Sequence, residues 1–175
     1  MKAADVRERL QPSLLDRLTD DAPGERREAE DRRVMSKAQL REAILRDLKA
    51  LLNAVQPLGD KARVHPVLSG CVLNFGLPPV SGQLASRLDV SSLEHAIRQA
   101  IVRFEPRILA ETLQVRAVEA ETVLDMHNVI EFEIRGHMWS QPVPLEILLR
   151  TQLDLEAGQV EVKDVAAPGG FLQWS

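Results

Sequence analysis

Apolar residues recur at helical spacing in two long segments of the chain. Ser36 and Gln39 have the spacing of a capping box at the start of the first segment, and Ser91 and Glu94 have it at the start of the second. The two apolar stripes consist of Leu40, Ile44, Leu45, Leu48, Leu51, Leu52 and Val55, and of Leu93, Ala96, Ile97, Ala100, Ile101 and Phe104. This pattern predicts two amphipathic helices that each bury one face.

The second predicted helix runs into the sequence Phe104-Glu105-Pro106-Arg107. Pro106 lacks the N–H that the next helical hydrogen bond needs, and it disfavours helix at the preceding residue. We therefore expect the helix to stop here, with the charges of Glu105 and Arg107 pointing away from one another. The residues alone favour a helix stop with solvated charges, and a docking point for a partner is the alternative.

Residues 66–79, between the two helices, are apolar but interrupted by glycine and proline. The composition predicts an ordered, packed loop. Asn74 and Gly76 are its expected turn positions, because asparagine and glycine tolerate left-handed backbone angles.

After Arg107 the apolar period changes from helical to alternating. The alternation is weak at Leu113, Val115 and Ala117, and it becomes clear further on, where Ile130, Phe132, Ile134, Leu145, Ile147, Leu149, Thr151, Leu153 and Leu155 alternate with polar residues. Residues 139–144 are expected to join two strands as a hairpin, and residues 156–158 to form a turn before Val160 and Val162. Helices followed by strands predict an α+β fold, with two main helices packed on one face of a mostly antiparallel sheet.

The first 35 residues differ from the rest in being dense in mixed charge. We divide the chain into a charged N-terminal arm (1–35), one folded domain (36–165) and an irregular tail (166–175). Within the arm, Leu14, Leu15 and Leu18 follow Ser13 as a short capped apolar turn, and each would be costly to leave exposed, at roughly 1.5–3 kcal/mol. They are candidate partner-binding residues. These leucines pack either on this chain's own domain or on another protein.

Composition limits the classes of function. A chain of 175 residues with 45% hydrophobic and 27% charged residues suits one core-bearing domain. The net charge of -4, with four Phe, two Trp and no Tyr, argues against a nucleic-acid partner. The charged start and the lack of a long apolar run favour a cytoplasmic protein without membrane insertion. Cys71 is the single cysteine, so no internal disulfide can form.

Catalytic and cofactor motifs are not evident in the sequence. His65, His95, His127 and His137 lack the close spacing of metal ligands, and no glycine-rich phosphate loop or nucleophile elbow occurs. Glycoside hydrolysis would need two carboxylates, and Glu105 with Glu131 or Glu133 is the available pair. Arg107 would tend to hold Glu105 ionised, which is wrong for the acid role. We expect no enzyme activity, metal or cofactor.

Four motifs in order resemble a known family. They are Ser13-Leu14-Leu15-Asp16-Arg17-Leu18, Gln39-Leu40-Arg41-Glu42 leading into Leu45-Arg46-Asp47-Leu48 and Leu51-Leu52-Asn53, then Val72-Leu73-Asn74-Phe75-Gly76-Leu77-Pro78, and Phe104-Glu105-Pro106-Arg107-Ile108. Over residues 11–113 the chain resembles the TssE family, baseplate subunits of the bacterial type VI secretion system. That family is similar to the lysozyme-like wedge protein of T4-type phage baseplates. Phe75 stands where the family more often has tyrosine.

The resemblance implies a structural role without catalysis, in a baseplate at the inner face of the cell envelope. It implies that Glu105, Pro106 and Arg107 bind the helical core bundle formed by TssF and TssG. It also implies contacts with TssK and with the contractile sheath, whose first ring needs an open strand edge. Residues 145–155 or 159–162 could supply that edge.

Two other functions stay open at the level of the sequence. A wedge protein of a phage or tailocin baseplate would bind different partners, but through the same kinds of contact. A peptidoglycan-cleaving enzyme is the reading that the lysozyme-like family label suggests.

Overall fold

The computed structural model describes residues 13–19, 23–24, 35–58, 66–80, 89–118, 129–140 and 143–165. The predictions for most of the charged arm, for the tail and for His65 and His127 lie outside these residues. The helices are α1 (Leu14–Leu18), α2 (Lys37–Asn53), α3 (Pro66–Ser69) and α4 (Val90–Phe104), with a 3-10 helix at Val72–Asn74. The strands are β1 (Gln114–Val118), β2 (Val129–Met138), β3 (Leu145–Asp154) and β4 (Gln159–Asp164).

The four strands form one antiparallel sheet in the order β1-β2-β3-β4. The predicted hairpin is confirmed, since Met138 of β2 pairs with Leu145 of β3. The predicted alternation is confirmed too: Phe132, Ile134, Leu149 and Leu153 are buried, whereas Arg135 and Arg150 are exposed. One face of the sheet therefore faces the core and the other carries charge.

Both long helices pack on the apolar face of the sheet, α2 beside β4 and α4 beside β1. Because each helix buries only its apolar stripe, the two helices and one sheet face enclose a single core. Its largest fully buried side chains include Ile44, Leu48, Leu51, Ile101, Phe132, Ile134, Met138, Ile147, Leu149 and Leu153. The α+β fold expected from the sequence is thereby confirmed.

Helix α2 begins as predicted and ends earlier than predicted. Ser36 caps it with a complete capping box that involves Gln39. The helix stops at Asn53, and Val55 lies beyond it in a bridge with Leu77. The inclusion of Val55 in the helical stripe was therefore wrong. The bridge depends on Gly76, whose φ of +121° lies in the region that side chains disfavour and whose Cβ, if present, would be 2.3 Å from the oxygen of Ala54.

The N-cap of helix α4 lies two residues before the predicted one. Asp89 is the N-cap residue, and its side chain accepts from the backbone N–H of Ser91. Glu94 does not turn back to close a capping box, because its carboxylate accepts from the N–H of Ala117 on β1 at 2.6 Å. A long-range contact thus replaces the local one that the sequence indicated.

Residues 66–79 are ordered, as expected, but they are not packed throughout. They contain α3, the 3-10 helix and Phe75, whose ring meets that of Phe104 edge to face at 5.3 Å. Val67, Val72 and Leu73 are exposed. None of the helices in the ranges given above is long and apolar enough to cross a membrane.

Candidate docking site

The residues that follow α4 form a tight turn, here called the 105–108 turn. Glu105 is the C-cap of α4, and the N–H of Ile108 donates to the oxygen of Glu105 at 3.1 Å. Pro106 occupies the second position of this turn, where its fixed φ is favourable. The N–H of Trp139 donates to the oxygen of Arg107 at 2.7 Å, so the turn is joined to the end of β2. The turn is therefore held at both sides by regular structure.

Glu105 and Arg107 bind each other across Pro106. Arg107 donates from Nε to Glu105 Oε1 at 2.6 Å and from Nη2 to Oε2 at 2.5 Å, and its backbone N–H also donates to Oε1. Glu105 is 2% exposed, whereas Pro106 is exposed at the tip of the turn. The expectation that the two charges point apart was wrong. A buried carboxylate needs partners, and the guanidinium two residues away has the fork geometry to provide them.

Asp47 of α2 is the second acidic partner of this arginine. Its Oδ2 accepts from Arg107 Nη2 at 2.5 Å. Burial lowers the pKa of Arg107, but the hydrogen bonds and charge of Glu105, and then those of Asp47, outweigh burial and raise the pKa above its ordinary value. Arg107 thus stays charged and ties the turn to the middle of α2.

The ion pairs continue from Asp47 to the N-terminal helix. Arg46 donates to Asp47 Oδ1 at 2.9 Å and to Asp16 Oδ1 at 2.7 Å. Ser13 caps α1 through a capping box with Asp16, so Asp16 both starts α1 and ties it to α2. Burial raises the pKa of Asp16, but the hydrogen bonds from Ser13 and Arg46 prevail and lower it. We call the chain of contacts Asp16, Arg46, Asp47, Arg107 and Glu105 the ion-pair network.

The network brings together the two sets of residues that the sequence marked as partner-binding. Leu14, Leu15 and Leu18 on α1 are 74%, 57% and 74% exposed. Asp16 faces the domain and these leucines face outward. The apolar residues of α1 therefore do not pack against the described part of this chain's own domain, even though α1 is attached to it through Asp16.

Unpartnered polar atoms also concentrate near the turn. Among described residues, four buried side-chain atoms have no hydrogen-bond partner, and three belong to Arg107 (Nη1), His137 (Nδ1) and Ser140 (Oγ). These residues flank the contacts between the turn and the end of β2. Trp139 lies between His137 and Ser140, and its side chain is about half exposed. A half-exposed tryptophan is typical of a surface that a partner covers.

The sequence was compared with protein families, curated proteins and solved structures. The profile of the family described as baseplate wedge protein gp25 matches residues 38–143, which is more than half of the chain. The chain belongs to the gp25 baseplate wedge family. No curated protein and no solved structure matches it. The matched residues contain α2, α4, β1, β2 and the 105–108 turn, but not α1.

The carboxylates that the sequence offered for glycoside hydrolysis are not assembled as a pair. Glu105 lies in the helical layer with its oxygens bonded to Arg107. Glu131 and Glu133 lie on the opposite, charged face of β2, where they bond to Gln152 and Arg135. In the described residues no group of three or more potential metal ligands clusters, and Cys71 is partly buried beside Leu68. The gp25 family is itself structural rather than catalytic.

The sheet edge is the second candidate surface for this gp25 family member. Of the two segments that the sequence offered as an edge, β3 is internal and that assignment was wrong, whereas β4 is an edge among the described strands. Asn53 of α2 covers part of it: its carboxamide accepts from the N–H of Val160 at 2.9 Å and donates to the oxygen of Val160 at 2.8 Å. Arg41 of α2 binds Asp164 at the other end of β4.

The opposite edge, β1, is covered by α4 in the same manner. Glu94 accepts from the N–H of Ala117, and Arg98 donates to the oxygens of Leu113 and Ala110 at 3.2 Å each. Side chains of a helix thus take the hydrogen-bonding positions of a neighbouring strand at both edges. Such protection reduces unwanted pairing with other chains.

Sequence reasoning missed several residues of these surfaces. The sequence analysis assigned no individual role to Asp16, Arg46, Asp47 or Asn53. The Arg46-Asp47 pair in mid-helix and the Asn53 that ends it belong to the motifs that suggested the family, which was the one available signal. Nothing in the sequence pointed to Trp139.

Proposed function

We propose that this gp25 family member is the TssE-like baseplate subunit of a bacterial type VI secretion system. In this role it docks on the wedge core bundle of TssF and TssG, lies near TssK, and links the baseplate to the contractile sheath so that sheath assembly can start. The family match over residues 38–143 carries the proposal. The protein would then act in the cytoplasm, within the baseplate at the inner face of the envelope.

The geometry of the 105–108 turn supports docking but changes the role of its residues. Glu105 is buried and bonded to Arg107, so it supports the turn from inside. The surface offered to the core bundle consists of exposed Pro106, the exposed side of Arg107 and the leucines of α1. A partner that covers these leucines removes their apolar surface from water, which favours association.

The β4 edge supports the proposed contact with the sheath. An added strand would find the backbone groups of Val162 pointing outward, because they alternate along a strand and those of Val160 already point to Asn53. To pair over the whole of β4, the incoming strand must take the place of Asn53. Backbone pairing of this kind fixes register with little demand on side chains.

We infer that the role is not catalytic. A glycosidase acid must present its proton to substrate, whereas both oxygens of Glu105 accept from Arg107 in a buried position. Purified protein should leave the turbidity of sacculi unchanged. Turbidity loss that Glu105→Gln abolishes would establish the peptidoglycan-cleaving alternative.

A phage or tailocin wedge protein is the nearest alternative function, since the gp25 family match fits it equally. Neighbouring genes distinguish the two. A gene for TssK or for the membrane complex beside this one would indicate secretion, whereas a sheath or spike gene alone fits both.

Co-purification with TssF and TssG tests the docking role. Replacing Arg107 or Glu105 by alanine would disturb the fold, so the informative variants alter exposed residues: Pro106→Lys at the tip of the turn, and Leu14→Asp with Leu18→Asp on α1. Each should weaken or abolish association while thermal unfolding stays as in the unmodified chain. Arg150→Glu on the charged face of the sheet is the control and should bind normally. Association of all variants at wild-type level would refute the docking role.

A further inference from the structure

The ion-pair network connects α1 to the 105–108 turn through two adjacent residues of α2. Arg46 binds Asp16 of α1, and Asp47 binds Arg107 of the turn. Because Arg46 and Asp47 are consecutive and also bind each other at 2.9 Å, α1 and the turn lie next to one another on the same part of α2. Five side chains thus span the distance between the two candidate surfaces.

The contacts of α1 place its leucines in a definite direction. Asp16 is 12% exposed in its side chain and bonded to Arg46, whereas the leucines before and after it on the same short helix are exposed. Leu14 and Leu18 are four residues apart, and Leu15 and Leu18 are three apart, so all three lie on one helical face. This face is open to solvent.

A helix of five residues does not hold its own conformation in water, since the first turn of a helix costs more than it gains. The capping box of Ser13 with Asp16 and the ion pair with Arg46 are therefore what fix α1. Asp16 takes part in both, which makes it the link between the formation of α1 and its attachment.

We propose that Arg46 and Asp16 are positioning residues that hold α1 beside the 105–108 turn, so that both form one docking surface for a single amphipathic helix of the partner. The inference rests on the proposed function for the identity of that partner. The exposed leucine face fits an apolar helical stripe. Arg46 is the most exposed member of the ion-pair network, with 46% of its side chain exposed, whereas the side chains of Asp16 and Glu105 are 12% and 3% exposed, which favours acidic residues at the border of that stripe.

The positioning itself is tested without a partner. Spin labels at Leu18→Cys and Pro106→Cys, in a Cys71→Ser background, report the distance between α1 and the turn. A narrow distribution is expected in the otherwise unmodified chain and a broad one with Arg46→Gln or Asp16→Asn. Arg135→Gln breaks an exposed pair with Glu133 on the sheet and should leave the distribution narrow. A distribution that Arg46→Gln does not broaden would overturn the proposal.

The single docking surface is tested by affinity for the TssF–TssG complex. Arg46→Gln and Asp16→Asn, in unlabelled protein, should each weaken binding about two- to fivefold, the range that the loss of one exposed ion pair gives. The double variant should bind no more weakly than either single one, because both remove the same contact. Unchanged affinity in variants whose α1 is released would overturn the proposal. If the unmodified chain does not bind the TssF–TssG complex, the proposed function fails. The distances between the spin labels then decide alone whether Arg46 and Asp16 position α1.

Discussion

Arg107 is the residue on which the 105–108 turn depends. It is bonded to Glu105 and Asp47 at 2.5 Å each, and the side chain of Glu105 is 3% exposed. A buried carboxylate that loses its cation keeps its desolvation cost and loses the attraction that offsets it. The pair is therefore required by the fold, whatever it also does for a partner.

Removing the guanidinium of Arg107 should destabilise the protein far more than the partial exposure of this side chain suggests. We expect Arg107→Met to lower the free energy of unfolding by about 3–5 kcal/mol, since Glu105 then stays buried without a partner. Urea denaturation at neutral pH measures this. Arg135→Met removes an arginine of an exposed pair and should cost less than about 1 kcal/mol. An equal, small loss in both variants would contradict the structural role of Arg107.

At Gly76 the backbone conformation disfavours any side chain. Gly76→Ala should cost at least about 1–3 kcal/mol, because φ is +121° and the added Cβ would lie 2.3 Å from the oxygen of Ala54. Gly70→Ala is the matched control, since a Cβ there meets nothing within 4 Å. The unfolding midpoints of the two variants measure this difference. A Gly76→Ala variant as stable as Gly70→Ala would refute the explanation.

At the scale of elements, α2 organises the molecule beyond its apolar stripe. Its polar residues bind β4 through Arg41 and Asn53, α1 through Arg46, and the 105–108 turn through Asp47. Helix α4 does the same for β1 through Glu94 and Arg98. The helices therefore fix the sheet edges as well as the core.

The contact of Asn53 with β4 can be broken with a single-atom exchange. Asn53→Asp keeps an acceptor for the N–H of Val160, but it places a carboxylate against the oxygens of Val160 and Lys49. We expect a loss of about 1–3 kcal/mol and faster amide exchange at Glu161, which pairs with β3. Gln159→Glu makes the same chemical change at an exposed neighbour and should be nearly neutral. Unaltered stability and exchange in Asn53→Asp would show that Asn53 does not protect this edge.

The helices and strands could be predicted from the spacing of apolar residues, because each element buries one face and this burial sets the spacing. Ser36 and Gln39 formed their predicted capping box because both lie in one local segment. Glu94 did not, because a strand distant in sequence offered its carboxylate a backbone N–H. The pairing of Arg107 with Asp47, 60 residues apart, depends on how α2 meets α4. Periodicity carries no information about such contacts.

At the scale of the whole molecule, one core supports two surfaces of different chemistry. One surface joins the exposed leucines of α1 to the 105–108 turn through the ion-pair network. The other is the β4 edge, protected by α2. The proposed role, which connects a helical bundle to a sheath of interlocking strands, needs a surface of each kind.

The most direct test of this account is site-specific photo-crosslinking in a baseplate reconstituted with TssF and TssG. A crosslinking amino acid is placed at residue 15 on α1, at residue 106 in the turn, or at residue 150 on the charged sheet face. The account predicts crosslinks to TssF or TssG from residues 15 and 106 and none from residue 150. Crosslinks from residue 150 alone, or none from either of the other two in an assembled complex, would contradict it.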